Sequence, residues 1–287
     1  MILVTVIIPF YSSTPGLLIK AVESALNQTM ENLEVIIVDD CSPVLAKDEV
    51  KAINDDRVRI ITHSENSNGG IARNTGIESA RGEYIAFLDY DDIWYKDKLE
   101  KQHKLFNTYS INLNDLVIYS RCKIIDGNRV LIRPTRSIKK TESVGEYLFC
   151  AKQIIQTSGI FLKTELARKT MFDDLKRHQD YQFCLSLESK GANFLMLEEV
   201  SYEFIQIPKL NDYHFSLKWL ELYSKYLNKK SIKAFKVLVI LRSIISHKNN
   251  KQAFKFALKE RLIISFFKII FLKFSKKIYL KATQRRT

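Results

Sequence analysis

Three carboxylates within four residues, Asp89, Asp91 and Asp92, follow the apolar run YIAFL at 84–88. Side chains of one sign packed this closely repel unless a cation or water separates them. Hard oxygen ligands select Mg²⁺ or Mn²⁺, which keep several waters and take one or two carboxylates together with substrate phosphates. The competing reading is a solvated acidic turn, or a helix N-cap at Asp92 ahead of a helical stretch. Position argues for the metal, because ligands of open α/β sheets bind outside the carboxyl ends of the strands.

Three other groups of residues offer related chemistry. Asp39-Asp40 ends the run LEVIIV at 33–38. One carboxylate there can accept hydrogen bonds from a base or ribose, although Asp before Ser42-Pro43 also suits a turn. In Asn68-Gly69-Gly70-x-x-Arg73-Asn74 the glycines admit a ligand to the backbone, a helix N-terminus favours anions, and Arg73 adds a cation one turn on. That string is neither G-x-G-x-x-G nor a Walker loop, and a plain glycine turn before a helix also explains it. Asp180, in HQDY at 178–181, opens a helix. It reads either as a general base for an acceptor hydroxyl or as an acid placed by the helix dipole.

The elements that must carry these residues follow from pattern. Residues 3–10 are β-branched and almost wholly apolar, as a buried parallel strand requires. Leu18, Val22 and Leu26 mark a helix over 17–29. Strands are expected at 33–38, 58–62 and 84–88, a short helix at 46–54 and a longer one at 71–80. This alternation predicts a parallel sheet with helices on both faces. Further strands are expected at 116–125 and 154–162, a helix at 179–189, and one or two short strands within 193–206. No fixed-period repeat appears.

Charge divides the chain. The net charge is +13. Residues 229–287 hold 17 Lys and Arg against one acid, Glu260, and the first 228 residues are close to neutral. A domain over 1–228 and a basic, apolar, helical tail over 229–287 are therefore expected. The segment LIISFFKIIFLKF at 262–274 contains Lys268 and Lys273 and is short of the roughly 20 apolar residues of a spanning helix. Lys273, Lys277 and Lys281 recur every four residues, the pattern of a helix lying in a lipid interface. The start of the chain lacks the marks of a secretory signal. The isolated cysteines suggest reduced thiols rather than a metal cluster or disulfides. A nucleic-acid role is not expected, because no recognised motif accompanies the basic tail. Clustered carboxylates also suit a metal better than the two flanking acids of a glycoside hydrolase.

In order along the chain, VTVIIPFY (4–11), VIIVDDCS (35–42), NGGIARNTGIESARGEYIAFLDYDD (68–92), MFDD (171–174) and QDYQFCLSLESKG (179–191) resemble glycosyltransferase family 2, the inverting nucleotide-sugar transferases of GT-A fold. The resemblance spans about residues 3–206. It implies an α/β, GT-A-like nucleotide-sugar-binding domain with a mixed, mainly parallel central sheet, here followed by basic amphipathic C-terminal helices. Pro9 and Tyr11 would line the nucleobase, Asp40 would hold the uracil, and Arg73 would sit near the ribose and phosphates. Asp89 would contribute to nucleotide and metal binding, and Asp91 would be the direct ligand of Mn²⁺ or Mg²⁺. Asp92 and Gln179 would face the donor sugar or acceptor, and Asp180 would be the catalytic base. Ser12 stands where the family usually has Asn, Gln179 where it has Glu, and the usual Trp of that helix is replaced near Phe183. These departures put acceptor contacts in doubt rather than the base. Bacterial members of this kind imply a UDP-sugar donor, glucose or galactose, and a GlcNAc or GalNAc acceptor on a lipid diphosphate. A β-linkage in O-antigen or capsule repeat units would result, made at the cytoplasmic face of the inner membrane by a peripheral enzyme with its tail on anionic lipid.

Overall fold

In the computed structural model, residues 2–110, 115–206 and 211–284 are described, with the side chains of the last helix described as far as residue 275. The chain divides into two compact units, Met1–Ile207 and Pro208–Thr287.

The first unit is built on one mixed sheet. Strands β1 (Val4–Phe10), β2 (Leu33–Asp39), β3 (Val58–Thr62) and β4 (Tyr84–Phe87) are parallel, in the order β3-β2-β1-β4. Every residue of β1, β2 and β4 is buried, which is why these strands read as continuous apolar runs rather than alternating ones. Helices α1 (Leu18–Leu26), α2 (Ala46–Glu49) and α3 (Asn68–Ser79) make the crossovers. Helix α3 lies unusually close to the sheet: a Cβ on Gly76 would stand 2.4 Å from Ile7 Cγ2. Beyond β4 come the two-residue strand β5 (Ile93–Trp94), helix α4 (Lys98–Tyr109), strands β6 (Leu116–Asp126), β7 (Arg129–Arg133) and β8 (Phe161–Lys163), helices α5 (Thr164–Thr170) and α6 (Gln179–Ser189), and β9 (Asn193–Ile205). The sheet continues β4-β8-β6-β9-β5, with β8 antiparallel to both neighbours and β6 parallel to β9.

Three sequence expectations need correction. The run 154–162 is not one strand, because strand geometry is confined to Phe161–Lys163 and is preceded by a tight turn at Thr157–Gly159. Burial on every side keeps such a run apolar whatever its backbone does. Residues 193–205 form one strand of 13 residues, bent where its register against β6 shifts near Arg121. Asp92 does not cap a helix: β5 follows it, and α4 begins only at Lys98, after Asp97.

The second unit is helical: α7 (Tyr213–Tyr223), α8 (Lys229–Phe235), a π-helical turn (Lys236–Leu241), α9 (Arg242–Ser246), α10 (Asn250–Lys259) and α11 (Ile263–Gln284). Helix α7 precedes the basic stretch yet belongs to this unit, because Trp219 stacks on Phe235 of α8 at 4.9 Å between ring centroids. Lys273 Nζ donates to the Ile245 carbonyl at 3.2 Å. The side chains of Lys277 and Lys281 lie outside the described residues. Among the described residues no helix is long and apolar enough to cross a membrane.

Candidate active site

Two strand ends supply the acidic residues, and they treat them differently. At the end of β2, Asp39 is 2 % exposed and spends both oxygens on backbone, accepting from the Ser42 and Ala46 N–H groups at 2.8 Å each. It closes the β2–α2 loop. Asp40 accepts from the Ser67 N–H at 2.9 Å and meets His63 Nδ1 at 2.8 Å through the same oxygen, Oδ1. Its Oδ2 is buried without a partner. An unpartnered buried carboxylate oxygen is costly, and a ligand N–H would satisfy it. Pro9 is buried inside β1 opposite Val38, whereas Tyr11, just past the strand end, is 46 % exposed.

Beyond β4 the carboxylates crowd. Asp89 accepts a close hydrogen bond from Arg73 Nη2 and another from Thr157 Oγ1 at 3.1 Å, while its N–H donates to Ser158 Oγ at 2.9 Å. Asp92 is 2 % exposed, and its Oδ1 has no partner. Desolvation, with the charges of Asp89 and Asp91 added, pushes its carboxyl well above the usual carboxylate range. Asp91 is half-buried between them.

Arg73, buried on α3, joins these tips to α6. Its Nη1 donates to Gln179 Oε1 at 2.8 Å and to the Gly69 carbonyl at 3.1 Å. Gln179 in turn donates through Nε2 to the Leu175 carbonyl at 2.6 Å and to Asn68 Oδ1 at 3.1 Å. A glutamate could not donate those bonds, which gives the departure at this position a physical reason. The α3 entrance also packs tightly on the segment before α6: a Cβ on Gly70 would stand 3.0 Å from the Asp173 carbonyl, and Asn68 Nδ2 reaches Asp174 Oδ1 at 2.5 Å.

Arg73, Asp89 and Gln179 open onto one cavity of about 210 Å³, lined also by Gln156, Thr157, Asp180 and the run Lys176, Arg177 and His178. Desolvation raises the Asp180 carboxyl to about 6, against backbone hydrogen bonds and the Arg73 charge that lower it. His178, in left-handed geometry and stacked on Tyr181, is lowered to about 4 by burial and then by Arg177, so its ring is neutral at pH 7. Asp89, Arg73, Gln179 and Asp180 are thus brought together. Asp40 is tied to the same α3 entrance through Ser67, while Pro9, Tyr11, Asp40, Asp91 and Asp92 are not among the cavity-lining residues.

The sequence reading missed Gln156, Thr157, Ser158, Lys176, Arg177 and His178. The polar triplet Gln156-Thr157-Ser158 inside an apolar run was the available signal. Its turn is held from behind, where Trp94 Nε1 donates to the Ser158 carbonyl at 3.0 Å and Gln102 Nε2 to the Gly159 carbonyl at 2.8 Å. Gln102 also accepts from Lys98 Nζ at 2.6 Å; the Lys98 ammonium is fully buried, and desolvation lowers its pKa well below the usual lysine range.

Among the described residues no three His, Cys, Asp or Glu side chains converge as a metal cage. The donors present suit an ion that needs few protein ligands. Asp91 and Asp89 offer hard oxygens, and beside them Asp92 has an oxygen without a partner and a carboxyl raised first by burial and then by the charges of Asp89 and Asp91. An ion that completes its shell with water and substrate phosphate needs no more than this.

Comparison with known proteins agrees with the geometry. Residues 5–170 match the sequence profile of Glycosyl transferase family 2. The amylovoran biosynthesis glycosyltransferase AmsB of Erwinia amylovora is 31 % identical over 268 residues, covering 88 % of each chain. The succinoglycan biosynthesis protein ExoW of Rhizobium meliloti is 40 % identical over 99 residues, 33 % of this chain and 31 % of that one. The fold matches S. aureus TarS 1–349, crystallised in complex with UDP-GlcNAc, with a TM-score of 0.59 at 19 % identity, covering 89 % of this chain and 71 % of that one. On the profile match and the AmsB likeness the chain belongs to glycosyltransferase family 2.

Proposed function

We propose that this glycosyltransferase moves a hexose, glucose or galactose, from a UDP-sugar to GlcNAc or GalNAc carried on a lipid diphosphate, with inversion to a β-linkage. The place of such a step is the assembly of polysaccharide repeat units of the O-antigen or capsule kind, at an anionic membrane surface on the cytoplasmic side of the inner membrane. The observation that carries the reading is the shared cavity in which Asp180 meets Arg73, Asp89 and Gln179, with Arg73 bonded to Gln179 across 106 positions. The names of AmsB and ExoW, both polysaccharide biosynthesis proteins, support the product class. The UDP-GlcNAc complex of TarS supports the donor class.

Asp180 performs the proton transfer in this mechanism. With its carboxyl raised to about 6 it is ionised at neutral pH yet basic enough to take a hydroxyl proton. The acceptor oxygen attacks the anomeric carbon from the face opposite UDP, its proton passes to Asp180, and the electron pair of the breaking anomeric C–O bond leaves with UDP. Arg73 fixes Asp89 and Gln179 at the mouth, and Tyr11, Pro9 and Asp40 receive the uracil. The neutral ring of His178 and the cations of Lys176 and Arg177 border the acceptor side. Asp91, with Asp89 beside it, would hold a divalent ion, which would supply charge neutralisation to the leaving diphosphate.

Mass spectrometry of products from a panel of UDP-sugars with a synthetic GlcNAc-diphosphate-lipid tests the reading. Addition of one hexose, lost in EDTA, is expected; no transfer from any UDP-sugar, or retention at the anomeric centre, overturns it. Asp91→Ala removes Mn²⁺-dependent donor binding in calorimetry with and without the ion.

A further inference from the structure

We infer that the second unit holds a binding site for the phosphate group of an anionic lipid, in the cavity between α8 and the α10–α11 turn. This deepens, and rests on, the reading of a membrane-bound enzyme. The cavity measures about 310 Å³ and is lined by four cations, one carboxylate and two apolar side chains. Lys229, Lys233 and Lys236 are spaced four and three residues apart, so they project from one side of the helical segment. Arg261 faces them from the turn, where its backbone is left-handed with φ 58°.

The charges there do not balance. Glu260 is committed to Lys236 at 2.5 Å. Among the described residues no other carboxylate lies within ion-pair distance of Lys229, Lys233 or Arg261. Three cations are therefore gathered around a concavity without a counter-charge. A phosphate oxyanion supplies one and takes charge-assisted hydrogen bonds from a guanidinium fork and ammonium groups.

The surroundings choose between lipid phosphate and free phosphate. Ile232 and Leu262 give the cavity an apolar wall suited to a headgroup's methylenes. Leu258 and Ile264, on either side of the turn, are 57 % and 86 % exposed. Phe267 and Phe271 continue the exposed apolar surface along α11. A basic pocket bordered by uncovered Leu, Ile and Phe fits an amphiphile whose chains remain in the bilayer; inorganic phosphate would leave those side chains without a role.

The test uses the full chain. Flotation is measured on phosphatidylcholine vesicles with and without phosphatidylglycerol, for the wild type, for Lys233→Ala/Arg261→Ala, and for Lys251→Ala/Lys255→Ala, an equal loss of charge on α10 outside the cavity. All four side chains are exposed, so folding is preserved. The cavity pair is expected to weaken binding to the anionic vesicles by at least about tenfold more than the control pair. Titration with short-chain phosphatidic acid below its micellar concentration should show one saturable site that the cavity pair loses, and inorganic phosphate should bind far more weakly. Equal losses in the two pairs would mean that the tail acts by diffuse charge and would overturn the site. Inorganic phosphate binding as tightly as the short-chain lipid would overturn the lipid assignment. A wild type that ignores anionic vesicles would end the membrane reading and this inference together, and sugar transfer to a detergent-soluble acceptor would show whether the catalytic reading survives.

Discussion

The ends of β2 and β4 begin from the same sequence feature, a buried apolar strand running into aspartates, and come to opposite electrostatic states. Behind β2, Asp39 is satisfied by two backbone N–H groups and Asp40 is half-satisfied by His63 and Ser67. Behind β4, Asp89 depends on one arginine and one threonine, and Asp92 is held against its charge. In the first tip Asp39 is held by its own loop and Asp40 keeps one oxygen open. The second is left short of positive charge beside a cavity that ends at Asp180. Carboxylates whose environment resists ionisation mark reactive sites more often than those serving as loop caps. Position after a strand alone does not separate the two roles; the partners do.

The largest effect expected on the β4 side is that of Asp180→Asn, which removes the proposed base and should lower kcat by about 10²–10⁴-fold while donor affinity changes little. The same substitution should stabilise the fold. A carboxyl raised to about 6 in the folded state, against an ordinary value of 3.8, favours folding only where it is protonated. That contribution is lost as pH rises through 6, so at neutral pH the ionised group opposes folding and the amide does not. A gain on the order of 1–2 kcal/mol in denaturant unfolding is expected. Loss of stability instead would place Asp180 with the loop caps and break the contrast.

Asp39→Ala should do the reverse. Two buried backbone N–H groups lose their acceptor, which costs about 2–4 kcal/mol of stability. Any loss of turnover should follow the unfolded fraction and disappear in conditions that restore the fold. A fully folded Asp39→Ala protein that cannot bind donor would show that the β2 tip is reactive as well.

The pH profile sharpens the contrast without mutation. With Asp180 near 6, kcat should fall below pH 6 by about tenfold per unit, and the limb should vanish in the residual activity of Asp180→Asn. The smallest expected effect is that of Gln179→Glu. It forfeits the bonds donated to Leu175 and Asn68 and sets a second carboxylate against Asp89 for Arg73. A loss of about 1–2 kcal/mol in stability is expected, with a larger rise in acceptor KM than fall in kcat.

Much of the first unit was legible from residue types. Strands β1, β2, β3 and β4 and helix α6 fall within a residue or so of the expected bounds, and for β1, β2 and β4 the reason is that full burial demands unbroken apolar runs. Asp89, Arg73, Gln179 and Asp180 stand out in the sequence by type and place, and folding brings them to one cavity. The turn at Thr157–Gly159 was not legible. It sits in a run that is apolar because it is enclosed, and enclosure says nothing of φ and ψ. The edge of the second unit was also obscured, since charge marks where lysines begin whereas packing of Trp219 on Phe235 decides what belongs together.

The sequence by itself determined the alternation of buried strands and crossover helices, the placing of aspartates where strands end, and the concentration of positive charge in the last helices. These follow from local pattern, since burial, periodicity and charge are properties of neighbouring residues. Only the tertiary structure decided which aspartate caps a loop and which is left short of partners. Thr157 reaches Asp89 across 68 positions and Arg73 reaches Gln179 across 106, and a carboxyl's proton affinity depends on what folding brings to it and on how much water folding removes.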